Sequence, residues 1–166
     1  MKTIFIGTRI EALEKLENLT VVSKIITTKN SYIDKKKNKK IIINKDNIQE
    51  INSLLVTSDV DLIFSSGYPF ILSKEILRSN KVFINSHPSY LPDYKGRRSI
   101  KRAFDNNEEF YGCTLHYMNE NVDSGEIIYQ KKISLKNLTL SEIYEFIFSK
   151  LEVEEIENGL KKILNK

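Results

Sequence analysis

Apolar positions follow two alternating rhythms along this chain. Lys2 to Gly7 is nearly continuous in its apolar character, which predicts a strand buried on both faces. Over Ile10 to Leu19 the spacing changes, and Ala12, Leu13 and Leu16 fall on one face of a helix. Val21 to Thr27 predicts a second strand, and Lys40 to Asn44 a short third one beyond a lysine-rich loop. Asn47 to Leu55 follows as a short helix, with Asp46 or Asn47 as its cap. Val60 to Phe64 is the next buried strand, closed by Ser65-Ser66-Gly67-Tyr68-Pro69, where Gly67 and Pro69 punctuate a loop.

The same alternation continues. Ser73 caps a short helix over Lys74 to Leu77, and Lys81 to Asn85 is a strand. Ser99 to Phe104 is helical, and Tyr111 to Met118 and Glu126 to Ile133 are strands parted by a turn at Asn121 to Gly125. From Ser141 the chain is helical to near its end, with Ile143, Ile147, Leu151, Ile156, Leu160 and Ile163 as an apolar stripe that packs on the sheet. Strands alternating with helices predict a single α/β domain over residues 1–166, a mostly parallel sheet flanked by helices on both faces. There are no internal repeats and no low-complexity tail.

Composition changes this picture little. With 40% hydrophobic and 29% charged residues the chain has the balance of an ordinary globular protein, and no stretch approaches the roughly 20 apolar residues of a membrane span. The apolar run at the N-terminus is too short for a signal peptide and meets Arg9, Glu11 and Glu14 at once. A single cysteine, Cys113, excludes an internal disulfide and a thiolate zinc site, so a reducing cytoplasm is the expected location. With two histidines and one cysteine, no metal centre is expected. The net charge of +4 is concentrated in Lys35 to Lys40, read as a solvated loop, and in Lys95 to Arg102. That is too mild, and too poor in interleaved aromatics, for nucleic-acid binding.

The chemistry gathers at Asn85-Ser86-His87-Pro88 and at Asp123. In α/β sheets, ligands bind outside the carboxyl ends of strands, and Ser65 to Tyr68, Asn85 to His87 and Asp123 each follow a predicted strand. Asn85 offers an amide donor, and His87 titrates near neutrality. If Asp123 folds back onto His87, a donor, a base and a carboxylate converge, the parts needed to stabilise an oxyanion and move a proton in acyl transfer. No nucleophile-elbow glycine pattern accompanies Ser86 or Ser89, which argues against a serine hydrolase. His116 and Cys113, inside a predicted strand, read as core residues. Gly7-Thr8-Arg9 lacks a dinucleotide-binding glycine pattern.

Ile84-Asn85-Ser86-His87-Pro88-Ser89-Tyr90-Leu91-Pro92-Asp93-Tyr94-Lys95-Gly96 resembles the central motif of the formyltransferases that use 10-formyltetrahydrofolate. The likeness continues through Gly112-Cys113-Thr114-Leu115-His116-Tyr117 to Val122-Asp123-Ser124-Gly125-Glu126-Ile127-Ile128, and upstream over Ser66 to Ser73. The spacing of His87 and Asp123 matches that family's His and Asp. The resemblance implies a Rossmann-like formyltransferase domain with 10-formyltetrahydrofolate as formyl donor. It implies Asn85, His87 and Asp123 as the catalytic trio. It further implies that Gly67, Pro69, Phe70, Ile71 and Leu72, with Asn121 and Val122, hold the pterin.

The family includes phosphoribosylglycinamide, methionyl-tRNA and amino-sugar enzymes, and the chain departs from the first two. The Gly/Ser/Asn-rich phosphate loop of the phosphoribosylglycinamide enzymes is replaced by Gly7-Thr8-Arg9-Ile10-Glu11, and the chain given stops at Lys166 without a tRNA-binding barrel. The expected acceptor is therefore a small phosphorylated amine, foremost an amino-sugar nucleotide, with Arg9, Arg97 and Arg98 as phosphate-gripping candidates. A phosphoribosylglycinamide formyltransferase or a truncated methionyl-tRNA formyltransferase-like enzyme is the alternative. A vestigial, non-catalytic binding module is the alternative of another class. No membrane partner is expected, and a homodimer is left open.

Overall fold

A computed structural model describes residues 1–164. The fold is α/β, with a seven-stranded, mostly parallel mixed sheet and accompanying helices. Two compact units make up the chain, the first over Met1–Asn85 and the second from Ser86 onward. Among the described residues no helix is long and apolar enough to cross a membrane.

The first unit runs β1 (Lys2–Gly7), α1 (Ile10–Leu19), β2 (Val21–Thr28), α2 (Tyr32–Lys36), β3 (Ile41–Ile43), α3 (Ile48–Thr57), β4 (Leu62–Ser66) and α4 (Lys74–Leu77). Its strands lie in the order β3-β2-β1-β4, all parallel. Ile4, Phe5 and Ile6 of β1 and Leu62, Ile63 and Phe64 of β4 are wholly buried, as their unbroken apolar runs require. The rings of Phe5 and Phe64 stack with centroids 6.4 Å apart. Burying each such side chain contributes about 1.5–3 kcal/mol. Helix α1 covers this layer with Ala12, Leu13 and Leu16, the face predicted from their spacing.

The lysine-rich loop contains a turn of helix that apolar periodicity could not register. Ser31 caps α2 by accepting from the Asp34 N–H at 3.0 Å, a local device independent of hydrophobic pattern. Its lysines are partly paired, Lys37 with Glu17 at 2.7 Å and Lys40 with Asp34 at 3.2 Å. At the start of α3, Asn47 holds the cap position. Its side chain serves the preceding loop instead, accepting from the Asn44 N–H and donating to the Ile42 carbonyl.

Strand β5 (Val82–His87) runs two residues beyond the predicted end, so the histidine belongs to the strand itself. The second unit continues with α5 (Ser99–Asp105), β6 (Phe110–Tyr117), β7 (Ile127–Ser134), α6 (Leu140–Phe146) and α7 (Glu152–Leu164). Strands β6 and β7 form an antiparallel hairpin, with Tyr111 opposite Ile133 and Thr114 opposite Gln130. Its core joins Ile100, Ala103, Tyr111, Cys113, Leu135, Ile143, Ile147, Phe148 and Leu151. A capping box between Thr139 and Glu142 starts α6. The long C-terminal helix is broken by a π-turn over Ile147–Leu151, where the Glu152 N–H donates to the Ile147 carbonyl. That turn brings the consecutive residues Leu151 and Glu152 both into the interior.

Candidate active site

The site grows from the carboxyl end of β5. Asn85 and His87 are two residues apart on an extended strand, so their side chains leave on the same face. After Pro88 the chain doubles back, with the Ser89 N–H donating to the His87 carbonyl at 2.8 Å. The loop that follows holds Tyr94, Gly96 and Arg98 at positive φ, and Arg98 stands at the start of α5. Arg102 of α5 fastens this loop. Its guanidinium donates to the carbonyls of Tyr94, Lys95 and Arg97 and lies over the Tyr94 ring at 5.6 Å.

Asp123 enters from the β6–β7 connection in a left-handed conformation, φ 48°, rare for a residue with a Cβ. Gly125 permits the turn, because a Cβ there would fall 1.7 Å from the Tyr117 carbonyl oxygen. The carboxylate is thereby delivered to three partners. Its Oδ2 lies 3.3 Å from His87 Nδ1 and accepts from the Gly96 N–H at 2.7 Å, and its Oδ1 lies 3.6 Å from His116 Nε2. The expected meeting of Asp123 with His87 is thus present, and a second histidine is present with it.

Burial and neighbouring charges oppose each other here. Burial works against ionised Asp123, but His116, the His87 charge and the Gly96 N–H outweigh it and hold the carboxyl below its ordinary range. The His87 ring is buried, which pushes its pKa below the usual histidine value; Asp123 and the Tyr94 carbonyl pull the other way. Nε2 lies 3.1 Å from that carbonyl, so both ring nitrogens face acceptors. A neutral ring, with one N–H, can satisfy only one of them at a time. Geometry favours the imidazolium and burial the neutral ring, an arrangement suited to taking up a proton and releasing it.

His116 is buried and hydrogen-bonded, as the reading of it as a core residue has it, and it also meets the site: one ring nitrogen faces Asp123 and the other the Tyr117 carbonyl, at 2.9 Å. Thr114 and His116 alternate as polar residues within an otherwise apolar strand, a signal that this face of β6 serves a polar site. Arg102 left no such signal, since only the fold of the loop reveals what it holds.

The remaining candidates occupy several places. In the first unit, Gly67 adopts φ 68°, and a Cβ there would lie 2.8 Å from the Thr8 hydroxyl and 3.3 Å from Arg9 Cγ, so Arg9 and Gly67 are neighbours. Pro69 to Leu72 lie outside regular structure; the Phe70 ring meets Tyr68 edge-on, Ile71 is 80% exposed and Leu72 is buried. In the second unit, Asn121 and Val122 are exposed just before Asp123, and Arg97 and Arg98 are exposed on the α5 side of the 94–98 loop. Among the described residues no cluster of three or more His, Cys, Asp or Glu could hold a metal ion.

A family model described as formyl transferase matches residues 8–156. The chain belongs to the formyl transferase family. It is 37% identical over 98 residues to methionyl-tRNA formyltransferase of Orientia tsutsugamushi (strain Boryong), covering 58% of this chain and 32% of that protein. Over 109 residues it is 34% identical to phosphoribosylglycinamide formyltransferase of Haemophilus influenzae, covering 64% of this chain and 45% of that protein. The chain thus spans less than half the length of these curated relatives. Among solved structures, phosphoribosylglycinamide formyltransferase from Campylobacter jejuni superposes with a TM-score of 0.84 at 26% identity, over 99% of this chain and 97% of that one. The enzyme of that name from Anaplasma phagocytophilum gives 0.83 at 25% identity, over 99% and 86%.

Proposed function

We propose that this chain transfers a formyl group from 10-formyltetrahydrofolate to the primary amine of a small phosphorylated acceptor of the phosphoribosylglycinamide class. The observation that carries the reading is the buried His87–Asp123 pair at the end of β5, with Asn85 on the same strand face. The names of the two solved structures that superpose over 99% of this chain favour phosphoribosylglycinamide over the amino-sugar nucleotide expected first. In the turn after β1, Arg9 lies beside Gly67, and a guanidinium suits a phosphate.

The residues assigned to the folate have the character it needs. In the first unit Ile71 holds an apolar side chain in solvent, 80% exposed, as a wall for a flat ring would; in the second, Val122 is 52% exposed. The segment from Pro69 to Leu72 belongs to no sheet or helix, the kind of irregular backbone that can follow a ligand's edge. When bound, 10-formyltetrahydrofolate supplies the formyl group as an electrophile. Asn85 donates a hydrogen bond to the oxygen on which negative charge develops, a contribution of about 2.7–4 kcal/mol for one well-aimed donor. His87 takes up the proton that the attacking amine loses and, once charged, donates to that oxygen as well, while Asp123 holds the ring. The proton is then delivered to the nitrogen that the formyl group leaves.

Purified protein incubated with 10-formyltetrahydrofolate and either phosphoribosylglycinamide or an amino-sugar nucleotide should release tetrahydrofolate with the former. His87→Ala should abolish turnover while leaving the fold intact. Absence of binding to any reduced folate would overturn the reading and favour a non-catalytic binding module.

A further inference from the structure

Ser86 lies between Asn85 and His87, so its side chain leaves β5 on the opposite face. There its hydroxyl is buried against two carboxyl groups of α7. It lies 2.9 Å from Glu152 Oε1 and 3.2 Å from Glu155 Oε2. Glu152 is 1% exposed and Glu155 is fully buried. Three residues apart on one helix, they share a face. The serine has one proton to donate and two carboxyl groups to serve, and Glu155 Oε1 has no hydrogen-bond partner among the described residues.

Within this unit the ammonium groups on the surrounding elements are engaged elsewhere. Lys131 of β7 pairs with Glu154, Lys162 of α7 lies over Tyr129, and Lys150 of the π-turn lies over Phe146. Strand β6 presents Leu115 to α7 at Gly159, its Cys113 lies in the apolar core, and its His116 is turned to Asp123. The charged neighbour acting on Glu155 is Glu152, of the same sign. Two ionised carboxylates in this position would each lose water and repel the other, whereas with one proton bound a carboxyl group can donate to the Ser86 hydroxyl while that hydroxyl donates to the other carboxylate.

We propose that Glu152 and Glu155 hold a single proton between them and, through the Ser86 hydroxyl, act as positioning residues for the strand end that carries Asn85 and His87. The shared proton stands on two buried carboxyl groups gathered around one hydroxyl donor; its bearing on catalysis rests on the formyl-transfer reading above. Burial first, and the Glu152 charge second, push the Glu155 carboxyl well above its usual 4.5. The native state therefore keeps a proton that the unfolded chain releases. The contribution of the pair is complete in acid and declines as pH rises past the ordinary glutamate range.

The test is a carbon-13 NMR titration of the glutamate carboxyl groups in the full chain, free of ligand, with the His87 imidazole signals followed in parallel. The wild type should keep one glutamic acid protonated at neutral pH, and Glu155→Gln should remove that signal. When this carboxyl ionises in alkaline solution, the His87 signals should move with the same midpoint. In Ser86→Ala the late carboxyl titration should persist while the coupled movement of His87 disappears. The same variant should lower kcat roughly ten- to a hundredfold, as a small misplacement does, with KM unchanged. Two glutamates fully ionised at neutral pH, or His87 responding identically in wild type and Ser86→Ala, would overturn the proposal. Should Glu155→Gln fail to fold, the wild-type and Ser86→Ala titrations still decide. A protein that shows the coupled titrations but transfers no formyl group keeps the shared proton and refutes only the functional reading.

Discussion

Asp123→Asn removes one charge from the site and very little volume. The Gly96 N–H can still donate to the amide oxygen that replaces Oδ2, so the loop keeps its 2.7 Å anchor. What disappears is the field at two imidazoles, 3.3 Å and 3.6 Å away. Unit charges about 4 Å apart attract by about 4 kcal/mol at an effective dielectric near 20. That corresponds to roughly a thousandfold in the ratio of imidazolium to neutral ring. Burial already works against the charged form of His87, and Asp123 is the largest influence opposing it. Without the carboxylate the ring can no longer hold the proton the amine gives up. We expect kcat to fall about a thousandfold, inside the roughly 10²–10⁴ range of positioned acid–base catalysis, with KM for the folate nearly unchanged. Initial rates at saturating donor and acceptor measure the effect, and circular dichroism confirms the fold. A correctly folded variant within about fivefold of wild-type kcat/KM would refute the charge argument outright.

Other consequences follow from the same geometry. Gly125→Ala forces a methyl to within 1.7 Å of the Tyr117 carbonyl oxygen, so the turn must move; thermal unfolding should register a loss of about 1–3 kcal/mol, and activity should fall with it. Arg102→Ala releases three carbonyls of the loop over 94–97, and the Gly96 amide should exchange with solvent faster, in contrast to Lys101→Ala, which loses only an exposed pair with Asp105. The lowered pKa of His87 means that the unfolded chain binds a proton the native ring resists. Stability should therefore fall as pH drops below the usual 6.5, and His87→Gln should flatten that part of the melting-temperature profile; parallel profiles would count against it. Charge reversal at exposed Arg97 and Arg98 should raise KM for the phosphorylated acceptor and leave kcat unchanged, as read from steady-state kinetics with each substrate varied.

Much of the fold is written in local pattern. Ile4 to Ile6 and Leu62 to Phe64 are unbroken apolar runs because strands covered on both faces leave no position for a polar residue. The α1 face was legible from helical spacing, because Ala12, Leu13 and Leu16 recur on one side of the helix, and the two hairpin strands were legible with their turn. Asn85, His87 and Asp123 stood out by residue type and spacing, since a donor, a base and a carboxylate are scarce together at strand ends. Family membership follows from those same residues and the segments around them. What escaped was decided by distance and direction, which no local pattern carries. His116 looked like core because it is core by burial, and only the left-handed Asp123 brings a carboxylate to it. Arg102 was only the end of a charged segment in the sequence, and the fold of the 94–98 loop made it a fastener. Glu152 and Glu155 lie outside the apolar stripe read from the sequence, yet both are buried just after the π-turn, against Ser86. Sequence alone determined the alternation of strands and helices, the family and the catalytic candidates, because burial and chemistry constrain residue type position by position. Tertiary structure alone decided which charges meet, since the energy of a charge pair depends on a few ångströms of separation and on the water excluded between them.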